Sequence, residues 1–245
     1  MAAPALVALA HVERDPRSTK TITALIDEVR ELRPDLRVEK AFLGRSRWEF
    51  QTVIDRLVRA GFDEVVVVPL LVSDPAPAAV TDAVAEATGR HSELKVRVTA
   101  TLGLEACFLE VLDARMREAL AASRVRELDA LVLAAAGSND PIANQAVARL
   151  ARLWGTHHKL PVTAAYAASA PPATGEAVRA FRGEGRRHIA VASLFLTPGP
   201  LVDRATELAL EAGAIAVSEP MGAHPEVART ILARYAVGAV ELVPV

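Results

Sequence analysis

The sequence predicts an α/β fold made twice: two tandem copies of a small, doubly wound, parallel-sheet domain that face each other across a cleft. Three observations predict it. First, the chain repeats itself. Ala5-Leu-Val-Ala-Leu-Ala-His11-Val-Glu-Arg14-Asp15-Pro16 returns as Ala130-Leu-Val-Leu-Ala-Ala-Ala136-Gly-Ser-Asn-Asp140-Pro141, which sets Asp15 and Asp140 125 residues apart. The pattern around Gly61 and Leu70 returns around Gly185 and Leu194, and Leu102-Gly103 returns as Met221-Gly222. A repeat this long is a duplicated domain, not a solenoid of short units. Second, short apolar runs alternate with amphipathic stretches, which is the signature of parallel strands joined by crossover helices. Third, runs such as Val65-Val-Val-Val68 and Leu131-Val-Leu-Ala-Ala-Ala136 have no period-2 alternation, as suits strands covered on both faces.

Taken in order, strands are expected at 5–10, 37–42, 64–70 and 94–100, then at 130–135, 161–166, 188–194 and 214–218. Between the first two, Ile22, Leu25, Ile26, Val29 and Leu32 recur at helical spacing. Asp27, Glu28, Arg30 and Glu31 lie off that stripe. Asp15-Pro16 and Asp140-Pro141 each read as an N-cap followed by proline at the first helical position. Gly61 and Gly213 stop helices ahead of strands. Gly183-Glu-Gly185 and Pro198-Gly-Pro200 read as turns. A linker at 121–127 then divides the chain into domains 1–123 and 128–245.

Composition excludes several function classes. Hydrophobic residues make up 51% of the 245 residues and charged residues 24%, so each half can bury its own core. The formal net charge is −2, and neither half is net basic, which argues against a nucleic-acid partner. Cys107 is a single cysteine, so an internal disulfide and a cysteine zinc cluster are excluded; a small buried residue on a helix is expected there. No apolar stretch approaches membrane-spanning length and no basic region precedes the first apolar run. A cytoplasmic protein without a membrane partner is expected, as monomer or homodimer. No GxGxxG or GxxxxGK[ST] pattern is present, so no nucleotide cofactor is indicated.

Right-handed crossovers bring the loops after the strands to one sheet edge, where open α/β sheets bind ligands. His11 ends the first strand at that edge, a place suited to a metal ligand or a general base. Arg14, Arg17 and Lys20 follow it, and Arg45 and Arg47 follow the second strand. Five cations on one rim point to an anionic ligand, a polycarboxylate or a phosphate. The matching loop of the second copy, Gly137-Ser138-Asn139-Asp140, presents backbone N–H groups at a helix start, though a turn and cap is the simpler reading. His157 and His158 are adjacent near a helix end. Neighbouring side chains diverge, so solvated histidines are expected there rather than a shared metal site. His91 falls in a polar loop and His188 at a strand start. His224 precedes Pro225 at a helix start, where capping or packing is expected.

At this level of detail the chain resembles the sirohydrochlorin/cobalt chelatase family, the CbiX/SirB type of class II chelatase, in its long two-domain form. The resemblance rests on His11-Val-Glu-Arg14-Asp15-Pro16, with the family's Gly-Ser better matched by Gly137-Ser138. It also rests on Val65-Val-Val-Val-Pro69-Leu-Leu71, Leu194-Phe195-Leu-Thr-Pro198-Gly199, and Met221-Gly-Ala-His224-Pro225 with the helix that follows. It implies a lyase that inserts Fe²⁺ or Co²⁺, as substrate and without a further cofactor, into a polycarboxylate tetrapyrrole on the way to sirohaem or cobalamin. His11 would be metal ligand and proton acceptor, and the Arg14, Arg17, Lys20, Arg45, Arg47 rim with Ser138 would hold the macrocycle.

The metal site is degenerate against the family pattern. The family's glutamate after the second strand is replaced in Phe42-Leu43-Gly44, and no second histidine follows Pro69-Leu-Leu-Val-Ser-Asp74. The second copy offers Ala136 and Ala167 or Ala168 at the corresponding positions. Asp74 and Glu49 are the substitute oxygen ligands, although carboxylates select Fe²⁺ and Co²⁺ less well than imidazole. The competing expectation is a non-catalytic homologue that binds a tetrapyrrole or metal as carrier or regulator. A third is a scaffold that kept the two-domain shape alone.

Overall fold

The structure is a computed structural model and describes residues 3–10, 15–44, 49–72, 78–124 and 127–242. The elements are β1 (Ala5–Ala10), α1 (Pro16–Leu32), β2 (Val38–Phe42), α2 (Phe50–Arg59), β3 (Glu64–Pro69), α3 (Ala78–Arg90), β4 (Lys95–Val98) and α4 (Phe108–Ala122). They are followed by β5 (Ala130–Ala135), α5 (Pro141–His158), β6 (Val162–Tyr166), α6 (Thr174–Gly183), β7 (Ile189–Ser193), α7 (Pro200–Glu211), β8 (Ala216–Val217) and α8 (Pro225–Leu242). Each expected strand forms: β1 and β5 keep their expected bounds, and the other six are one to three residues shorter.

Two four-stranded parallel sheets result, ordered β2-β1-β3-β4 and β6-β5-β7-β8. Their registers repeat as the sequence does: Leu6 pairs with Val38 and Val65 with Ala5, as Leu131 pairs with Val162 and Ile189 with Ala130. β1 and β5 are buried along their whole length, which is why neither alternates polar with apolar residues. Chain order reverses beside β1 and beside β5, and ligands of open α/β sheets bind outside the strand ends at such a switch point.

The helix starts follow the sequence. Asp15 accepts from the Arg17 backbone N–H at 2.8 Å and Asp140 from that of Ile142 at 2.9 Å, each with proline next in the chain. Ile22, Leu25, Ile26 and Val29 are buried, while Leu32 at the last turn is half-exposed, so the expected apolar stripe ends one turn early. Cys107 is only partly buried and sits at the N-cap of α4 rather than within the helix.

The compact units do not follow the repeat boundary. One unit takes Met1–Gly103 with Ala223–Val245, and the other takes Leu104–Gly222. Helix α4 comes from the first repeat in sequence but packs on β7 and β8. Helix α8 comes from the second and packs on α1, β3 and β4. Matching arginines fix each helix. Arg115 of α4 donates to the Met221 carbonyl at 2.9 Å, and Arg234 of α8 donates to the carbonyls of Thr101 at 2.8 Å and Leu102 at 3.0 Å. Leu102 and Met221 are repeat mates, so each arginine grips the loop of the opposite repeat. In α8 a β-carbon added to Gly238 would lie 2.7 Å from Val66 Cγ1 and 2.8 Å from Thr99 Cγ2, a contact that glycine allows. The boundaries expected at 1–123 and 128–245 therefore describe the repeats and not the folded units. Two amphipathic helices face two sheets of the same strand order, and periodicity alone does not say which goes where. Among the described residues, no helix is long and apolar enough to cross a membrane.

Candidate functional site at the sheet edges

In the first unit the edge is defined by three strand ends. Leu43 N–H donates to Ala10 O at 3.1 Å and Leu70 N–H to Leu9 O at 2.8 Å, which ties together the places where the chain leaves β1, β2 and β3. The segments that carry His11 with Arg14, Arg45 with Arg47, and Asp74 leave from those three ends. These five residues lie outside the described residues.

Three expected site residues of this unit are described. Arg17 turns its guanidinium onto Asp15, with Nε 3.1 Å from Oδ1 and Nη2 2.6 Å from Oδ2. This hydrogen bond holds the Asp15 carboxyl below the ordinary carboxylate range. Arg17 is thus bound to its own helix cap, which weakens its expected place on an anion-holding rim. Lys20 is exposed on the first turns of α1. Glu49 is half-buried at the N-cap of α2, where its backbone bridges Phe42 at the end of β2; its side chain makes no capping bond. Its repeat mate Ala173 bridges Tyr166 in the same way.

In the second unit the corresponding edge is described in full and is held by side chains. Asn144 clamps the loop before α5: its Oδ1 accepts from Ser138 N–H at 3.0 Å and its Nδ2 donates to Ser138 O at 2.7 Å. Ser138 Oγ accepts from Asp140 N–H at 3.0 Å. The Tyr166 hydroxyl, at the end of β6, donates to Asn144 O at 2.9 Å, and burial pushes its phenol pKa up, so it stays a donor. Gly137 has φ +86°, and a β-carbon there would fall 2.0 Å from Ala168 O. Ser138, Asn139, Asn144, Gln145, Tyr166 and Ser169 line a cavity of about 420 Å³. The lining is uncharged and mixed, with Pro141, Ala148, Ala170 and Pro171 set among the polar groups. It offers hydrogen bonds to a ligand but no cation for a carboxylate and no imidazole for a metal. Ser138 is therefore placed at a cavity, with its hydroxyl oxygen partly engaged by the loop.

Histidines the sequence treated as solitary find partners. His91 Nε2 lies 2.8 Å from Asp55 Oδ1, and Arg90 binds the same carboxylate at 2.7 Å. Their hydrogen bonds and charge, His91 first, hold Asp55 below the ordinary carboxylate range. His224 Nδ1 accepts from Glu226 N–H at 3.2 Å and caps α8, as expected. His157 and His158 do not diverge: their ring centroids are 4.9 Å apart, edge to face, and His158 Nε2 is 2.7 Å from Asp113 Oδ1. Both rings are exposed, as expected, and His158 meets a third side chain arriving from α4. No signal in the sequence around Asp113 marks that meeting.

Two four-stranded parallel sheets of the same strand order, made from two repeats, define a duplicated doubly wound α/β protein. The chain belongs to the CbiX family, whose model matches residues 5–119 and 130–237. This is the sirohydrochlorin/cobalt chelatase family that the loop motifs resemble. Solved structures share the fold. SirB from Bacillus subtilis with Fe³⁺ is 19% identical with a TM-score of 0.81, covering 98% of this chain and 96% of that one. The same chelatase from the subspecies spizizenii, in complex with cobalt, is 18% identical with a TM-score of 0.79, covering 98% and 97%. CbiX, the terminal enzyme for biosynthesis of sirohaem in denitrifying bacteria, is 19% identical with a TM-score of 0.68, covering 95% and 98%. A comparison with the curated proteins finds no match.

Proposed function

We propose that the protein inserts Fe²⁺ or Co²⁺, as substrate, into a sirohydrochlorin-type polycarboxylate tetrapyrrole. The observation that carries this is the family match across both repeats together with His11 on the first strand's loop. Insertion exchanges one divalent ion for two pyrrole N–H protons. A neutral imidazole serves both sides of that exchange, since it binds borderline first-row cations and accepts a proton with an ordinary pKa of about 6.5. In this reading His11 delivers the metal and takes a proton, with Glu49 or Asp74 supplying oxygen ligands. Arg14, Arg45 and Arg47, joined by Lys20, neutralise carboxylates of the macrocycle. Ser138 and the uncharged cavity of the second unit hold its far side by neutral hydrogen bonds and apolar contact. A cytoplasmic setting accords with this substrate.

A second reading is favoured by one specific observation: Phe42-Leu43-Gly44 and the segment after Pro69 lack the further ligands of the family pattern. It is a homologue that binds tetrapyrrole or metal without inserting it. Anaerobic incubation with sirohydrochlorin and Co²⁺ or Fe²⁺, followed by macrocycle absorbance, separates the two. Insertion faster than the protein-free control and lost in His11→Ala supports the chelatase. A spectral shift with macrocycle alone and no rate enhancement makes it a binding protein.

A further inference from the structure

Away from the sheet edges, α4 and α5 bring together Asp113, His157 and His158. One ligand atom from each lies within 4.8 Å of the others. We infer that this cluster is a second divalent-cation site, binding Zn²⁺ or a first-row relative such as Co²⁺, and that the bound ion staples α4 to α5.

Four features support it. Two imidazoles and one carboxylate are the donor set that borderline divalent cations prefer. Ligand atoms around a tetrahedral ion with bonds of about 2.0–2.1 Å sit about 3.3 Å apart. Closing from 4.8 Å is a matter of side-chain torsions in residues that are exposed or half-exposed. The carboxylate is already aimed. The indole N–H of Trp154, a fully buried residue, donates to Asp113 Oδ1 at 2.7 Å. A buried donor that fixes the direction of a ligating carboxylate is the usual outer shell of a metal site. Among the described residues, Asp113 Oδ2 accepts no hydrogen bond and no arginine or lysine pairs with the carboxylate. Arg117 uses its Nε on the Asp113 carbonyl instead, at 3.2 Å. Finally, His157 and His158 close α5, so the ion would meet the negative end of that helix dipole.

Binding replaces the present hydrogen bond between His158 Nε2 and Asp113. His158 turns Nε2 to the ion as a lone pair. Water completes the coordination. The consequence is structural. α4 belongs to the first repeat in sequence and packs on the second sheet, and the ion would tie it to a helix of that unit.

The test uses the full chain, freed of any histidine tag, stripped of metal and titrated with Co²⁺ alone or Zn²⁺ alone. Bound equivalents and the visible Co²⁺ absorption are read for the unaltered protein and for His11→Ala, His157→Ala and Asp113→Asn. The expected result is that His11→Ala keeps one equivalent, which His157→Ala and Asp113→Asn lose. Zn²⁺ should also raise the melting temperature of His11→Ala but not of the double variant His11→Ala with His157→Ala. The inference is overturned if His157→Ala binds as many equivalents as the unaltered protein, if His11→Ala binds none, or if binding fails to saturate below about 1 mM metal. Should Asp113→Asn fail to fold, His157→Ala decides, because its ring is exposed. Insertion activity is a separate readout, so a failed chelatase assay leaves this result standing.

Discussion

The two sheet-edge loops began as one sequence and now differ in what their polar side chains do. In the second unit Ser138, Asn144 and Tyr166 bond to one another's backbone, and Gly137 presses against Ala168. Their repeat mates in the first unit are Glu13, Thr19, Phe42 and Val12. Phe42 has no hydroxyl to hold the first turn of α1, and Val12 is β-branched where Gly137 needs a left-handed backbone. The second loop spends its polar groups on its own conformation. The first has His11 in place of Ala136 and Arg14 in place of Asn139, the groups to which the proposed function assigns metal and carboxylate. In the proposed function the first copy carries the chemistry and the second a self-bonded loop.

The sharpest way to break this contrast is at its histidine. His11→Ala should lower the metal-insertion rate about 100-fold or more, while Ala136→His in that background should not restore it, because the second edge supplies no cations. Initial rates at fixed Co²⁺ measure both. If Ala136→His rescued the rate, the two edges would be chemically equivalent and the contrast would fail.

Next comes the self-bonded loop itself. Gly137→Val makes the second loop read like the first and should cost about 3 kcal/mol in urea unfolding, since it adds a Cβ clash to a disfavoured φ. Asn144→Ala removes both bonds to Ser138 and should cost about 2 kcal/mol. Tyr166→Phe copies the first unit's Phe42 and removes one hydrogen bond, at about 1 kcal/mol. A stability unchanged by all three would mean that the second loop is not built as proposed here.

The smallest effect belongs to Asp55, which joins α2 to α3 through Arg90 and His91. Its carboxyl is depressed in the folded state. The stabilisation is therefore complete above the ordinary aspartate value of about 3.9 and is lost as pH falls through the lower folded value. Asp55→Asn should cost less than about 1 kcal/mol at neutral pH, because the pair is solvent-screened, and should flatten the acid limb of the stability curve.

Legibility varied with the range of the interaction. The strands, the Asp-Pro caps and the His224 cap could be read locally, because each depends on residues within a few positions. The bond from Arg17 to its own N-cap carboxylate, two residues away, is a local contact that the rim expectation did not include. The contact of His158 with Asp113 could not be read locally, because the two are 45 residues apart.

By itself, then, the sequence determined the duplicated α/β sheets, their parallel order and the family, because hydrophobic period, turn residues and the repeat all act locally and agree. Only the tertiary structure decided which sheet each terminal helix covers, and with it the meeting of Asp113 with His157 and His158. The repeats are near-equal in pattern, so α4 and α8 carry the same apolar signal for either sheet. The choice rests on long-range contacts such as Arg115 with Met221 and Arg234 with Leu102, which no window of sequence contains.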